Sequence, residues 1–179
     1  MNIEITLGNK DGFKDSVKAI RDYAKQLERD AHLMTEAIAL KLQLHAENNF
    51  QKAVYDMLIP EGGTTPKVKV TVKRNREFTV VIAEGQEAIF VEFGAGVYFN
   101  GGVGSSPHPK GAELGYTIGS YPTESKSGIN QGRYDVWGFK NEDGEIRLTR
   151  GTKAQMPMYN AMKTIVSEID SIARVVFKE

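Results

Sequence analysis

Few side chains in this sequence are placed to do chemistry. Glu92 stands between Val91 and Phe93 with Gly94 behind it. A carboxylate buried in such company favours its neutral form and can act as a general acid or base. The competing reading is structural: Glu92 faces outward on a strand or pairs with Arg133, Arg147 or Arg150, and this is the commoner fate of an isolated carboxylate. His108 lies in Pro107-His108-Pro109-Lys110, where it can touch a ligand or partner, although a lone loop histidine is usually solvated. His32 and His45 fall thirteen residues apart in a helical stretch, so they share no local metal site. One is expected exposed and the other at a packing seam. There is no His-x-x-x-His or Glu-x-x-His pair and no cysteine. Nothing here builds a metal centre, and no cofactor is expected.

Two further patterns invite chemistry and fail. The run GAGVYFNGGVGSS, residues 94–106, has the glycines of a phosphate loop. It lacks the Lys-Ser or Lys-Thr that would follow, and Gly94-Ala95-Gly96 lacks the third glycine of a dinucleotide fingerprint. Ser105, Ser106, Ser120 and Ser125 stand in no G-x-S-x-G elbow. What remains for an enzyme is a small hydrolase or ligand-binding site using Glu92 and His108 under the glycine-rich segment.

The elements that would position these residues follow from periodicity. The chain has 179 residues, 40% of them hydrophobic, which suits a single domain with a real core. Its 23 basic and 23 acidic residues balance, so no basic face is available to grip phosphates, and sequence-specific nucleic-acid binding is not expected. No apolar run is long enough to span a membrane, and no signal peptide is expected.

Residues 3–7 alternate as a short strand. From Phe13 to Ile59 there is neither glycine nor proline. The stripe Phe13, Val17, Ile20, Ala24, Leu27, Ala31, Met34 continues through Ile38, Leu42, Phe50 and Ala53, predicting one long helix or two with a soft bend, capped by Asp11 or Asp15. About 45 residues of helix measure roughly 68 Å, more than a compact domain of this size, so part must protrude or pack on another chain. Pro60 and Gly62 stop it. Val68, Val70 and Val72 then alternate on one strand, and Phe78, Val80 and Ile82 answer on the return. Residues 87–93 read as a short helical turn running into a strand.

Residues 94–133 hold 10 of the 18 glycines and three prolines. An irregular insertion is expected at about 97–133, and long structureless segments are usually functional or disordered. Tyr98, Phe99, Tyr116 and Tyr121 in it are candidate partner contacts. A hairpin around Asp143-Gly144 follows. Met158, Ala161, Met162, Ile165, Ile169, Ile172 and Val176 predict a final amphipathic helix, with Pro157 in its first turn. Met156, Met158 and Met162 are expected to fill an irregular gap there. The class is α+β: a long N-terminal helix, a small antiparallel sheet, and a C-terminal helix packed on the sheet.

Two short blocks, Val91-Glu92-Phe93-Gly94-Ala95-Gly96 and the run from Gly151 through Ala154 and Pro157 to Ala161, occur in an order that resembles a family of tailed-phage structural proteins. These are the neck or tail-completion proteins, also called head–tail joining or minor capsid proteins. Ala95 stands where the family usually has Thr, Met158 where it usually has Phe, and residues 97–133 form a longer connection. The resemblance makes Glu92, Phe93, Gly94, Gly96, Gly151, Ala154, Pro157 and Ala161 fold-defining. It implies a non-enzymatic component of the head–tail junction of a phage or prophage, built into the virion and made in the host cytoplasm. Its partners would be copies of itself in a ring and other connector and tail proteins. The second block is expected to pin the start of the last helix near the Val91–Gly94 turn.

Overall fold

The computed structural model describes residues 10–57, 62–75, 78–94, 106–111, 113, 137–140, 143–149 and 152–177. The expected strand at 3–7 lies outside them, as do Gly96, Tyr98, Phe99, Tyr116, Tyr121, Gly151 and most of 97–133.

The chain is α+β. A long helix α1, Lys10–Lys52, is followed by β1, Tyr55–Met57, and β2, Gly62–Thr64. Strands β3, Lys69–Arg74, and β4, Thr79–Glu84, then lead to a short helix α2, Ala88–Phe93. Strands β5, Trp137–Lys140, and β6, Ile146–Thr149, precede the final helix α3, Pro157–Phe177. The strands form three antiparallel two-stranded ladders, β1–β2, β3–β4 and β5–β6.

α1 is a single helix of 43 residues, about 65 Å long. Asp11 and Asp15 lie within it rather than at its cap. It ends seven residues before the expected Ile59, although no glycine or proline intervenes. The reason is tertiary. The Gln155 side chain pairs with the Val54 backbone in both directions: Val54 N–H donates to Gln155 Oε1 at 3.0 Å, and Gln155 Nε2 donates to the Val54 carbonyl at 2.7 Å. This pairing takes both Val54 backbone groups out of the helical pattern just ahead of β1.

The β3–β4 register corrects the phase of the return strand. Val70 pairs with Ala83 and Val72 with Val81, so these four share the face that meets α1. Phe78 and Val80, expected inward, are exposed. The cause is the turn. Arg74 pairs with Thr79, and Asn75 closes a four-residue loop through Phe78 N–H to its Oδ1 at 2.7 Å, which shifts the pleat by one residue. At the other hairpin the Asp143-Gly144 turn signal holds, with Gly144 at φ 79°.

α3 runs antiparallel to α1 and packs along its C-terminal half. Asn49 Nδ2 donates to the Pro157 carbonyl at 3.0 Å at one end, and Lys41 Nζ bonds Glu168 at 2.8 Å further along. Ala46, Phe50 and Ala53 of α1, Val70 of β3, Val91 of α2 and Ala161 of α3 are buried in one cluster, against which Met158 also packs. Alanines at 46 and 161, both fully buried, let the two helix backbones come close. Met162 was expected in the gap beneath α3 but is 46% exposed, one step round the helix from Ala161.

Candidate functional site

The site is built where α2 meets the start of α3. α3 begins with a difficulty that is visible in its sequence. The first N–H groups of any helix lack intrahelical partners, and Ser, Thr, Asp or Asn just before the first turn normally supplies one. Here that position is Met156, whose carbonyl accepts from Asn160 N–H at 2.8 Å but whose side chain cannot cap. Glu92 fills the need from 66 residues away. Its Oε2 accepts the Met158 N–H at 2.8 Å and its Oε1 the Tyr159 N–H at 2.9 Å. The carboxylate therefore sits at the positive end of the α3 dipole, where a negative charge is stabilised.

The backbone reinforces this contact. The Val91 carbonyl accepts from Gln155 N–H at 2.8 Å and more weakly from Met156 N–H at 3.4 Å. Met156 adopts φ 55°, rare for a side-chain-bearing residue. Gly94 leaves α2 at φ 83°, ψ 158°, a region open essentially to glycine alone. A Cβ there would lie 3.1 Å from the Ala154 nitrogen and 3.3 Å from its Cβ. The two motif blocks are thus in direct contact. Glu92 and Gly94 of one, and Ala154, Pro157 and Ala161 of the other, meet at this junction, all of the last three buried.

His108 joins from the glycine-rich segment. Its Nε2 lies 3.1 Å from Glu92 Oε1, and both side chains are buried. Lys110 N–H donates to His108 Nδ1 at 2.9 Å, which makes Nδ1 the acceptor and Nε2 the donor towards Glu92. The imidazole packs on the rings of Phe93 at 4.4 Å and Tyr159 at 5.2 Å. The Ser106 hydroxyl donates to the Phe93 carbonyl, and Gly111 N–H to the His108 carbonyl at 2.8 Å. Residues 106–111 are therefore strapped onto the junction.

This corrects the expectation for both residues. Glu92 neither lies on a strand nor faces solvent, since residues 88–93 are helical throughout, and its observed partner is a histidine. Of the arginines proposed for it, Arg133 and Arg150 lie outside the described residues. His108 is not solvated. No sequence reading assigned Glu92 to the cap; the one local hint that a cap must come from elsewhere is that Met156, just ahead of Pro157, carries no capping side chain. No sequence pattern pointed to Tyr159, Gln155 or Asn49.

Beside the junction is a groove of about 510 Å³, walled by Phe50, Val81, Ile89, Met158 and Met162, with Glu92 and His108 contributing to its lining. Its surface is overwhelmingly apolar. Three donors already converge on the Glu92 carboxylate. The other histidines stand apart: His32 is exposed, and His45 lies in the α1–α3 seam 3.4 Å from Glu168. Lys41, which hydrogen-bonds Glu168, holds that carboxyl below its ordinary value of 4.5, with His45 adding a smaller effect. Among the described residues no cluster of three or more His, Asp or Glu is arranged to hold a metal ion, and no helix is long and apolar enough to cross a membrane. Comparison with protein-family models, with curated proteins and with solved structures gives no match.

Proposed function

We propose that this chain is a structural component of the head–tail junction of a tailed phage or prophage, a neck or tail-completion subunit that works by contacts with copies of itself in a ring and with adjoining connector and tail proteins. The observation that carries the reading is the contact between the two blocks on which the resemblance rests. Glu92, Gly94, Ala154 and Pro157 are remote in sequence, yet they form one joint, with the glutamate capping a helix that begins 65 residues later. Residues that recur because they close a fold are expected to meet in this way.

The buried Glu92–His108 pair beside an apolar groove is the observation that favours a second reading, a small hydrolase or ligand-binding enzyme. Against it, Glu92 is already engaged by two main-chain N–H groups and His108. A general base needs a free lone pair aimed at substrate.

The test is to remove the gene from the virus or prophage that carries it and image the particles. The connector reading expects heads and tails that fail to join, with rescue by the chain supplied in trans. Normal, infectious particles from the deletion would contradict it.

A further inference from the structure

Residues 106–111 are held to the junction by few contacts. His108 is the side chain sunk into it, while Pro107, Pro109 and Lys110 around it are exposed. Among the described residues, two side chains anchor the segment. The Ser106 hydroxyl donates to the Phe93 carbonyl, and His108 Nε2 reaches Glu92 Oε1 at 3.1 Å with its ring against Phe93 and Tyr159. The segment's other hydrogen bonds are its own. Lys110 N–H donates to His108 Nδ1 at 2.9 Å, Gly111 N–H to the His108 carbonyl at 2.8 Å, and His108 N–H to Ser106 Oγ at 3.2 Å, while Lys110 Nζ pairs with Glu113 at 2.9 Å. Among the described residues no main-chain hydrogen bond crosses from 106–111 to α2 or α3.

A segment so sparsely tied opens at a free energy well below that of global unfolding. Two features fit it to close again. Its internal bonds travel with it, and Pro107 and Pro109 each fix one φ beside His108, so less freedom is lost on docking. Opening need not undo the start of α3. Glu92 keeps the Met158 and Tyr159 N–H groups at 2.8 and 2.9 Å, and water takes the place of His108 on a carboxylate still at the positive end of the helix dipole. The apolar groove does change. His108 and Lys110 belong to its wall, and His108 covers the Phe93 and Tyr159 rings.

We propose that residues 106–111 are a latch on the apolar groove. They lift from the α2–α3 junction as one piece, leave Glu92 capping α3, and extend the groove over Phe93 and Tyr159. An apolar group seated on those two rings binds the open form alone, so filling that end of the groove and closing the latch exclude each other. The latch is independent of the connector reading, since it concerns only how this chain covers its own groove.

Amide hydrogen exchange of the full chain, resolved by NMR, tests the proposal. In wild type the Gly111 amide is expected to exchange at least about tenfold faster than Ile165 in the middle of α3, and at a rate that low urea does not change, the mark of local opening. His108→Ala should speed Gly111 at least about tenfold further, and the milder Ser106→Ala severalfold, with Met158, Tyr159 and Ile165 staying within a few-fold of wild type. Both variants should also bind more of the apolar-surface dye anilinonaphthalene sulfonate, through the uncovered rings. Gly111 exchanging as slowly as Ile165 and with the same urea dependence would overturn the proposal. So would variants that loosen Met158 and Tyr159 as much as Gly111, and so would unchanged dye binding in both.

Discussion

Glu92→Gln isolates the role assigned to Glu92, because it preserves shape and removes only charge and one acceptor. The glutamine carbonyl can still take the Tyr159 N–H and His108 Nε2. Its amide nitrogen then faces the Met158 N–H, donor against donor, where a carboxylate oxygen stood at 2.8 Å. Flipping the amide exchanges one conflict for another, since the nitrogen then faces Tyr159 N–H and His108. At least one hydrogen bond to a charged acceptor is lost, worth about 1.5–3 kcal/mol, and a buried donor is left unsatisfied. The carboxylate's attraction to the helix dipole adds about 0.3–1 kcal/mol. The total is about 2–4 kcal/mol, which for a chain of this size lowers Tm by about 5–15 °C. Thermal unfolding followed by circular dichroism, with urea unfolding as a second measure, reads this directly. A Tm within about 2 °C of wild type would refute the reasoning, for then the carboxylate would not be holding the first turn of α3.

Two other outcomes follow from the same geometry. Gly94→Ala should destabilise the protein by about 1–3 kcal/mol in urea unfolding, because φ 83°, ψ 158° is strained for alanine and the added Cβ crowds Ala154. At the α1–α3 seam, the folded-state pKa of Glu168 is depressed, so its contribution is present above the ordinary value of 4.5 and is lost as pH falls through the lower folded value. Lys41→Ala should move the Glu168 titration midpoint, followed by NMR of its side-chain carboxyl, upward towards that ordinary value.

Much of the frame was readable from periodicity, and the errors have physical causes. α3 was legible because Pro157 and a 3–4 apolar repeat agree on where it starts and which way it faces. The long α1 was legible because no breaker interrupts it, but its end was not, since a side-chain amide from residue 155 ends it at Val54. The inward face of β4 was missed because the turn sets its phase, and the consecutive Val80-Val81-Ile82-Ala83 fit either phase. Met162 shows a limit of stripe reading, as an apolar residue adjoining a buried alanine can belong to the helix's open edge. The candidate site was half legible. Gly94, Pro157 and Glu92 stood out by type, whereas the burial of His108 depends on a strap whose docking no local pattern encodes. The Glu92 cap was not read from the sequence, because a carboxylate 66 residues away has no local pattern that ties it to the first N–H groups of α3.

Amide hydrogen exchange at Met158 and Tyr159, resolved by NMR, tests that central contact most directly. First-turn amides of a helix ordinarily exchange fast, having no intrahelical acceptor. With the buried Glu92 carboxylate accepting both, these two are expected to be protected nearly as strongly as Ile165 in the middle of α3, and to lose that protection in Glu92→Gln. Exchange at Met158 and Tyr159 as fast as in an uncapped first turn would contradict the account.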